Sequence, residues 1–221
     1  MAYRRTERVV QRLNARRDTI VAAAVALAAE QGMDAVQVVP VAERAGIAAG
    51  TVYRYFPSKT DLVAALVEGV VEREIAAVRR AAMAAPGPLS ALAAAIVAFA
   101  ARARRQQRLI FAVLAEPVER DIAALRLAQR KLLAGEFEAR IRAAIDGAHL
   151  PPLDATPAAA ALVGALLEGL VGPLAPGGED AARNREAVQT LTLIALRGLG
   201  VVDARARGLV VQTAWPREDA A

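Results

Sequence analysis

The chain has 221 residues, of which 56% are hydrophobic and only 4% aromatic, and its formal net charge is +5. This length suffices for one large domain or two small ones. The chain is rich in alanine and no stretch alternates apolar with polar residues, so the composition predicts an all-α protein and argues against sheet folds. The longest apolar runs, 91–101 and 158–167, fall short of the roughly 18 residues that a membrane span needs, and the basic start lacks a secretory signal. We therefore expect a cytoplasmic protein without membrane contact.

The inventory of reactive side chains argues against catalysis. The chain has one histidine, His149, two serines, Ser58 and Ser90, and no cysteine. A Cys-His pair is impossible, and a Ser-His-Asp triad would depend on a histidine in an apparent loop. One histidine also cannot supply both histidines of a catalytic zinc site, and no phosphate-binding G-x-x-x-x-G-K-[ST] occurs. We expect no metal, no cofactor and no enzymatic activity.

Positive charge is concentrated at the N-terminus. Residues 1–17 hold six arginines and one acid. Residues 1–60 carry nine basic and five acidic groups, a net charge of +4, whereas 61–221 carry nineteen and eighteen, a net charge of +1. A basic arm before a small helical unit is typical of proteins that bind the phosphate backbone of DNA. We predict DNA contacts from Arg4 and Arg5 in this arm; a solvated, disordered tail is the alternative.

Glycine, proline and charged residues divide the chain into helical segments. Before Pro57 we predict a helix over about 12–31, ended by Gly32, and two short helices over 38–45 and 48–56 around Gly46. Ser58 is a good N-cap for a long helix over 59–85. Further helices are predicted over 89–105, 109–116, 118–145, 156–174 and 179–199. Within 118–145, helical spacing connects Val118, Ile122, Leu125, Leu132, Phe137, Ile141 and Ile145.

The same punctuation predicts three parts of the chain. The first, over 1–58, combines the basic arm with a three-helix domain. The second, over 59–200, is a larger helical bundle. Periodicity is weak over 201–221, so we expect a partly disordered tail there.

Two short helices that meet at Gly46 have the pattern of a helix-turn-helix, whose second helix enters the major groove of DNA. Ile47 fills the angle between the helices, and Val52 and Phe56 anchor the second helix inward. At Gly50 the missing side chain allows the backbone to approach a duplex closely. The residues left facing outward are Ala48, Ala49, Thr51, Arg54 and Tyr55.

The run AGIAAGTVYRYFPSK over 45–59, followed by Asp61 and Leu62, resembles the signature of the tetracycline-repressor (TetR) family of bacterial transcriptional regulators. The resemblance is strong over about 15–65 and continues beyond only in helix number and length. It implies that Ala49, Gly50 and Thr51 read base edges. It also implies that Tyr53 and Tyr55 touch phosphates or bases and that Lys59 binds a phosphate at the start of the fourth helix, where the helix dipole favours an anion. Arg54 lies between the tyrosines and could reach a guanine or a phosphate; burial of Tyr53 in the core is the alternative reading of that residue.

Two features depart from the family pattern. Gln37 and Ala48 stand where relatives usually have Ser or Thr as N-caps, and each missing cap costs roughly 1 kcal/mol. The stretch 38–40 is apolar. The recognition surface also has few side chains that could contact bases, so we expect specificity to depend on Thr51, Arg54, Tyr55, the arginine arm and partly DNA shape. The same departures are the best support for a rival: a helical small-molecule-binding protein or enzyme that has lost DNA binding.

The resemblance also implies that 59–200 binds a small-molecule effector and forms a homodimer. Ligand binding would move the fourth helix and change the spacing of the two recognition helices. The expected function is therefore a ligand-responsive regulator, a repressor in the simplest case, that leaves a palindromic operator when the effector binds.

Candidate residues for dimerisation and effector binding come from the later helices. Small residues lie at helical spacing at Ala161, Ala165 and Gly169, and an apolar stripe on the last helix contains Leu191 and Ala195; packing within one subunit is the alternative. As pocket residues we predict Phe99, Phe111 and Leu125 as apolar walls and Glu116 as a charged group, with ordinary core positions as the alternative. The scarcity of aromatics favours an aliphatic pocket for a hydrophobic or amphipathic effector.

Overall fold

A computed structural model describes residues 2–116, 120–175 and 180–216. Within these ranges the chain forms ten α-helices and one 3-10 turn, and no strand. The all-α prediction is confirmed. The elements are α1 (Ala2–Gln31), the turn η1 (Met33–Ala35), α2 (Val38–Arg44), α3 (Ala49–Tyr55), α4 (Lys59–Met83), α5 (Pro88–Arg105), α6 (Gln107–Leu114), α7 (Arg120–Asp146), α8 (Ala155–Leu170), α9 (Ala181–Gly198) and α10 (Asp203–Gln212).

Helix α1 begins ten residues earlier than the predicted start near residue 12. The residues of the basic arm therefore continue the backbone of α1 instead of forming a separate tail. Arginine has a good helix propensity and no glycine or proline interrupts the segment, which is a local reason for the longer helix. The side chains of Arg4 and Arg5 lie outside the part of the chain that the structure describes.

Helix α4 begins at the predicted N-cap. The Ser58 hydroxyl accepts a hydrogen bond from the Asp61 backbone N–H at 3.1 Å, and the Asp61 carboxylate accepts one from the Ser58 N–H at 3.0 Å. This reciprocal pair is a capping box, which satisfies two backbone donors at the start of the helix. It gives α4 a defined origin directly after α3.

The later helices pack around α4 and α5. Helix α4 lies against α5 and α7, α5 also packs on α7 and α9, and α8 lies against α7 and α9. Phe99 of α5 and Phe137 of α7 are both completely buried and meet edge to face, with ring centroids 6.2 Å apart. The N-terminal helices join this body through contacts of α1 with α4 and α6.

The buried stripe of α7 differs from the predicted one. Leu132 is 56% exposed, whereas its neighbour Leu133 is completely buried. The helix runs uninterrupted through Gly135, so the residue one turn before Phe137 on the same face is 133. Two polar residues, Arg126 and Gln129, also lie on this buried face. Because they interrupt its apolar pattern, the spacing of apolar residues alone does not identify the buried face correctly. Val118 lies outside the described residues.

The tail after Gly200, predicted to be partly disordered, contains a helix. Residues Asp203–Gln212 form α10, which packs on α9 and buries Ala206 completely. Gly200 makes the turn into it with a φ of +91°, and a Cβ there would lie 2.6 Å from Pro151 Cγ. Tertiary contact therefore orders a helix whose own apolar pattern is weak. Residues 217–221 lie outside the described part of the chain.

No described helix is long and apolar enough to cross a membrane.

Candidate nucleic-acid interface and effector cavity

Helices α2 and α3 form the predicted helix-turn-helix. Gly46 has a φ of +65°, a left-handed conformation that a Cβ disfavours. The Gly46 N–H donates to the Glu43 carbonyl at 3.1 Å, and the Ile47 N–H donates to the Ala42 carbonyl at 3.0 Å. These bonds end α2 and redirect the chain into α3.

Helix α3 is anchored from below by two buried side chains. Val52 is completely buried and Phe56 is 2% exposed. The Arg17 guanidinium of α1 lies 5.1 Å from the centre of the Phe56 ring, a cation–π contact that connects the basic end of α1 to the end of α3. One arginine of the basic segment therefore contacts the residue that ends α3.

The outer face of α3 presents the residues that the sequence singled out. Tyr53 is 52% exposed, so it is not a core aromatic. Arg54 is exposed, with its guanidinium 5.6 Å from the centre of the Tyr55 ring. Tyr55 itself is half-buried and packs against the core, so it faces outward less than predicted. A Cβ at Gly50 would meet nothing within 4 Å.

The first turn of α3 has small side chains and no side-chain N-cap. Ala49 and Thr51 are half-buried, and Ala48 at the N-cap has extended backbone angles but no side-chain cap. Helix α2 likewise lacks a side-chain cap, because the Gln37 amide donates to the Asp34 carbonyl at 3.0 Å instead. The expected loss of both caps is confirmed. Free backbone N–H groups at the start of α3 remain available to a phosphate or a base edge.

Lys59 is the first residue of α4 and is half-buried, directly after the Ser58 cap. It therefore lies beside the end of α3, with a full positive charge at a helix N-terminus. This is the position that the resemblance implies for a phosphate contact.

The four predicted pocket residues have different positions. Phe99 belongs to the core and Leu125 packs half-buried against it. Glu116 follows α6 and accepts a hydrogen bond from the Met33 N–H at 2.9 Å, so it connects the end of α6 to the turn after α1. Phe111 lines a cavity.

This cavity has a volume of about 1160 Å³ and lies between α1, the α5–α6 junction, the start of α9 and the segment after α10. Its lining contains four arginines, at 104, 105, 108 and 185, and no aspartate or glutamate among the described residues. The lining is therefore much more basic than the aliphatic pocket that the composition suggested. The signal in the sequence was the run RARRQQR over 102–108, which ends one helix and begins the next.

Arg104 forms the buried part of the cavity wall. It is 5% exposed, and burial lowers its pKa from the ordinary value. Its Nε and Nη2 donate to Asn184 Oδ1 at 3.0 and 2.6 Å, and its Nη1 donates to the Leu170 carbonyl at 3.0 Å. The side chain thus joins the end of α5 to α8 and α9.

The predicted dimer residues divide into two groups. Ala161 and Ala165 are exposed on α8. Gly169 instead packs within the chain, because a Cβ there would lie 2.9 Å from both Leu191 methyl groups. Leu191 and Ala195 are half-buried on α9.

Among the described residues, no group of three or more His, Cys, Asp or Glu side chains could hold a metal ion.

Comparisons with known proteins agree with this geometry. The family model described as bacterial regulatory proteins, tetR family, matches residues 20–66. The chain is 46% identical over 77 residues to the HTH-type transcriptional repressor KstR of Mycolicibacterium smegmatis, covering 35% of this chain and 38% of that protein. A match of 50% identity over 58 residues to KstR of Rhodococcus jostii covers 26% and 27%. The chain thus matches well under half of the length of these curated relatives.

Two solved structures extend the likeness to the whole fold. The crystal structure of RolR in complex with resorcinol has a TM-score of 0.65 and 20% identity, and covers 95% of this chain and 100% of that one. FadR from Bacillus subtilis in complex with stearoyl-CoA has a TM-score of 0.64 and 20% identity, and covers 89% and 98%. Residues 20–66 therefore resemble the helix-turn-helix domain of the tetR family of bacterial regulatory proteins, and the fold of the whole chain is similar to that of RolR and FadR.

Proposed function

We propose that this protein is a ligand-responsive transcriptional repressor that binds a palindromic operator as a homodimer and leaves it when a small-molecule effector binds. The observation that carries this proposal is the outer face of α3, where Tyr53 and Arg54 are exposed on a helix anchored by buried Val52 and Phe56. KstR, which shares 46% identity over 77 residues, is named as a transcriptional repressor. A regulator of this kind acts on the chromosome, in the cytoplasm, and needs no catalytic activity.

The proposal assigns roles to the parts of the chain. Residues 1–58 bind DNA, and 59–200 bind the effector and dimerise. Base edges are contacted by Ala49, Gly50, Thr51 and Arg54, and phosphates by Tyr53, Tyr55, Lys59 and the arm with Arg4 and Arg5. A bare first turn in α3 supports backbone contacts there and a share of specificity from DNA shape.

A homodimer in which α8 and α9 face their copies fits the exposed Ala161 and Ala165. Two small residues one turn apart allow a second helix to approach closely. Two recognition helices must be spaced by about one turn of duplex, roughly 34–36 Å, to contact both half-sites. A change of a few ångströms in that spacing is sufficient to release the operator.

Two contacts support a route from the effector to DNA. Glu116 at the end of α6 accepts the Met33 N–H, and Ala29 of α1 lines the cavity beside α6. An effector that displaces α6 therefore acts directly on the helix that carries the helix-turn-helix. The start of α4, which is capped by Ser58 and follows α3 directly, is a second connection between the later helices and the helix-turn-helix.

A gel-shift titration with the DNA that flanks the coding sequence tests the DNA-binding part of the proposal. We expect a salt-dependent shift with wild type and a loss of most affinity in Tyr53→Ala and Arg54→Ala, because both side chains are exposed on the recognition helix. Arg130→Ala, an exposed arginine on α7, is the matched control. The absence of a shift at any salt concentration would favour the rival, a protein without DNA binding.

A further inference from the structure

The cavity beside α6 has an excess of positive charge that the described residues do not balance. Arg105, Arg108 and Arg185 are exposed side chains on its wall. Among the described residues none of these three guanidinium groups pairs with a carboxylate, and the cavity lining contains no acid. Three like charges around one concave space repel one another, and a bound anion would remove that cost.

The wall is also built to hold its shape. Buried Arg104 is fixed by Asn184 of α9 and the Leu170 carbonyl at the end of α8. These bonds join the α5–α6 junction, which carries Arg105 and Arg108, to the helix that carries Arg185. The three exposed guanidinium groups are therefore presented by helices that are tied to one another.

Apolar surface accompanies the charge. Phe111 of α6 and Trp215, which follows α10, both line the cavity. The Arg185 guanidinium lies 5.0 Å from the centre of the Trp215 ring, a cation–π contact that orients both side chains. With about 1160 Å³, the space exceeds the roughly 300–1,000 Å³ of pockets for drug-sized ligands, so an inorganic ion would leave most of it empty.

We propose that this cavity binds an organic anion whose phosphate or carboxylate is held by Arg105, Arg108 and Arg185 and whose apolar part lies against Phe111 and Trp215. Guanidinium groups suit this role because they form paired, charge-assisted hydrogen bonds with either anion. Ala29 of α1 also lines the cavity, so the ligand would touch the N-terminal helix as well as α6. The inference that this anion is the effector rests on the proposed function. The inference that the cavity binds an organic anion does not.

The protein carries its own reporter for the test. Trp215 is the single tryptophan of the chain, so its fluorescence reports on this cavity alone. Full-length protein without DNA is titrated with octyl phosphate, octanoate and octanol, none of which absorbs at the excitation wavelength. We expect saturable changes in Trp215 emission with one or both anions and none with octanol, and an apparent Kd that rises with ionic strength. The two anions distinguish a phosphate site from a carboxylate site.

Variants locate the binding. The double variant R105A/R108A removes two guanidinium groups from the wall and should raise the Kd by roughly tenfold or more, because a charge-assisted bond contributes up to about tenfold and less where it is exposed to solvent. The matched control R73A/R130A removes two exposed arginines from α4 and α7 and should leave the Kd within about twofold. Far-ultraviolet circular dichroism on each variant separates lost binding from lost folding.

Three results would overturn the proposal. They are unchanged Trp215 emission with both anions, equal affinity for octanol and octanoate, or equal Kd values in folded R105A/R108A and wild type. A gel shift run separately distinguishes the two proposals, because loss of DNA binding leaves the fluorescence result intact.

Discussion

Replacing Glu74 by glutamine should destabilise the protein substantially while leaving its shape unchanged. Glu74 of α4 is 3% exposed and Arg102 of α5 has a side chain 13% exposed. The Arg102 Nε and Nη2 donate to the two Glu74 oxygens, each at 2.9 Å. This paired, desolvated contact joins the helix that follows the helix-turn-helix to the helix that leads into the basic cavity.

The size of the expected loss in the free energy of unfolding follows from the burial of the Glu74–Arg102 pair. Removing one partner of a buried ion pair costs about 3–5 kcal/mol, because the other charge stays in a poorly solvated site. Glutamine keeps one oxygen acceptor, so we expect a loss of about 3 kcal/mol in the free energy of unfolding. For a chain of this size that corresponds to a fall in Tm of roughly 6–12 °C.

Urea unfolding and thermal melts measure the loss. Glu72→Gln removes an exposed carboxylate from the same helix and should change stability by less than about 0.5 kcal/mol. The double variant E74Q/R102Q should recover part of the loss, because no buried charge remains at the pair. An E74Q protein within about 0.5 kcal/mol of wild type would refute the reasoning that this pair is desolvated and structurally important.

Four further predictions follow from particular residues. Ala48→Ser should cap α3 and raise the stability by about 0.5–1 kcal/mol in thermal melts; an unchanged Tm would mean that the serine does not reach the free N–H groups. Gly200→Ala should cost about 2 kcal/mol or more, since φ is +91° and Pro151 Cγ lies 2.6 Å from the added Cβ, whereas Gly208→Ala, with open space, should cost little; equal melts would contradict this. The hydrogen bond from Arg79 and the charge of Arg140 lower the pKa of Glu136, so this carboxylate stabilises the fold above its unfolded-state pKa and loses that contribution as the pH falls through the folded-state value. As the pH falls below about 4.5, the free energy of unfolding of Glu136→Gln should decrease less than that of wild type. The same decrease in both proteins would contradict this prediction. Deleting residues 2–12 should weaken operator binding and flatten its salt dependence, and an unchanged salt slope would show that the arm does not contact phosphates.

The sequence predicts the structure best where a local interaction decides it. Ser58 caps α4 as its hydroxyl and position predict, and Gly46 adopts the left-handed turn that only a residue without a Cβ accepts at low cost. The exposure of Tyr53 and Arg54 follows from helical spacing once Val52 and Phe56 are taken as anchors.

The sequence predicts burial and order less well where segments that are distant along the chain pack together. Leu132 was expected in the core and Leu133 is there instead, because polar Arg126 and Gln129 share the buried face of α7. The weak periodicity over 201–221 predicts no helix there, and α10 forms because packing on α9 supplies the stabilisation that its own pattern lacks. Phe99, taken as a pocket wall, fills the core against Phe137.

By itself the sequence determined the helical class, the helix-turn-helix with its bare recognition surface and the concentration of positive charge at the N-terminus. These depend on propensity, capping and spacing over a few residues. Only the tertiary structure decided the position and the basic character of the cavity beside α6. Its wall combines residues from α1, the α5–α6 junction, α9 and the segment after α10, which are far apart along the chain. The arginines at 104, 105 and 108 form one short run in the sequence. The packing of α9 and Trp215 beside them makes that run part of the wall of a cavity.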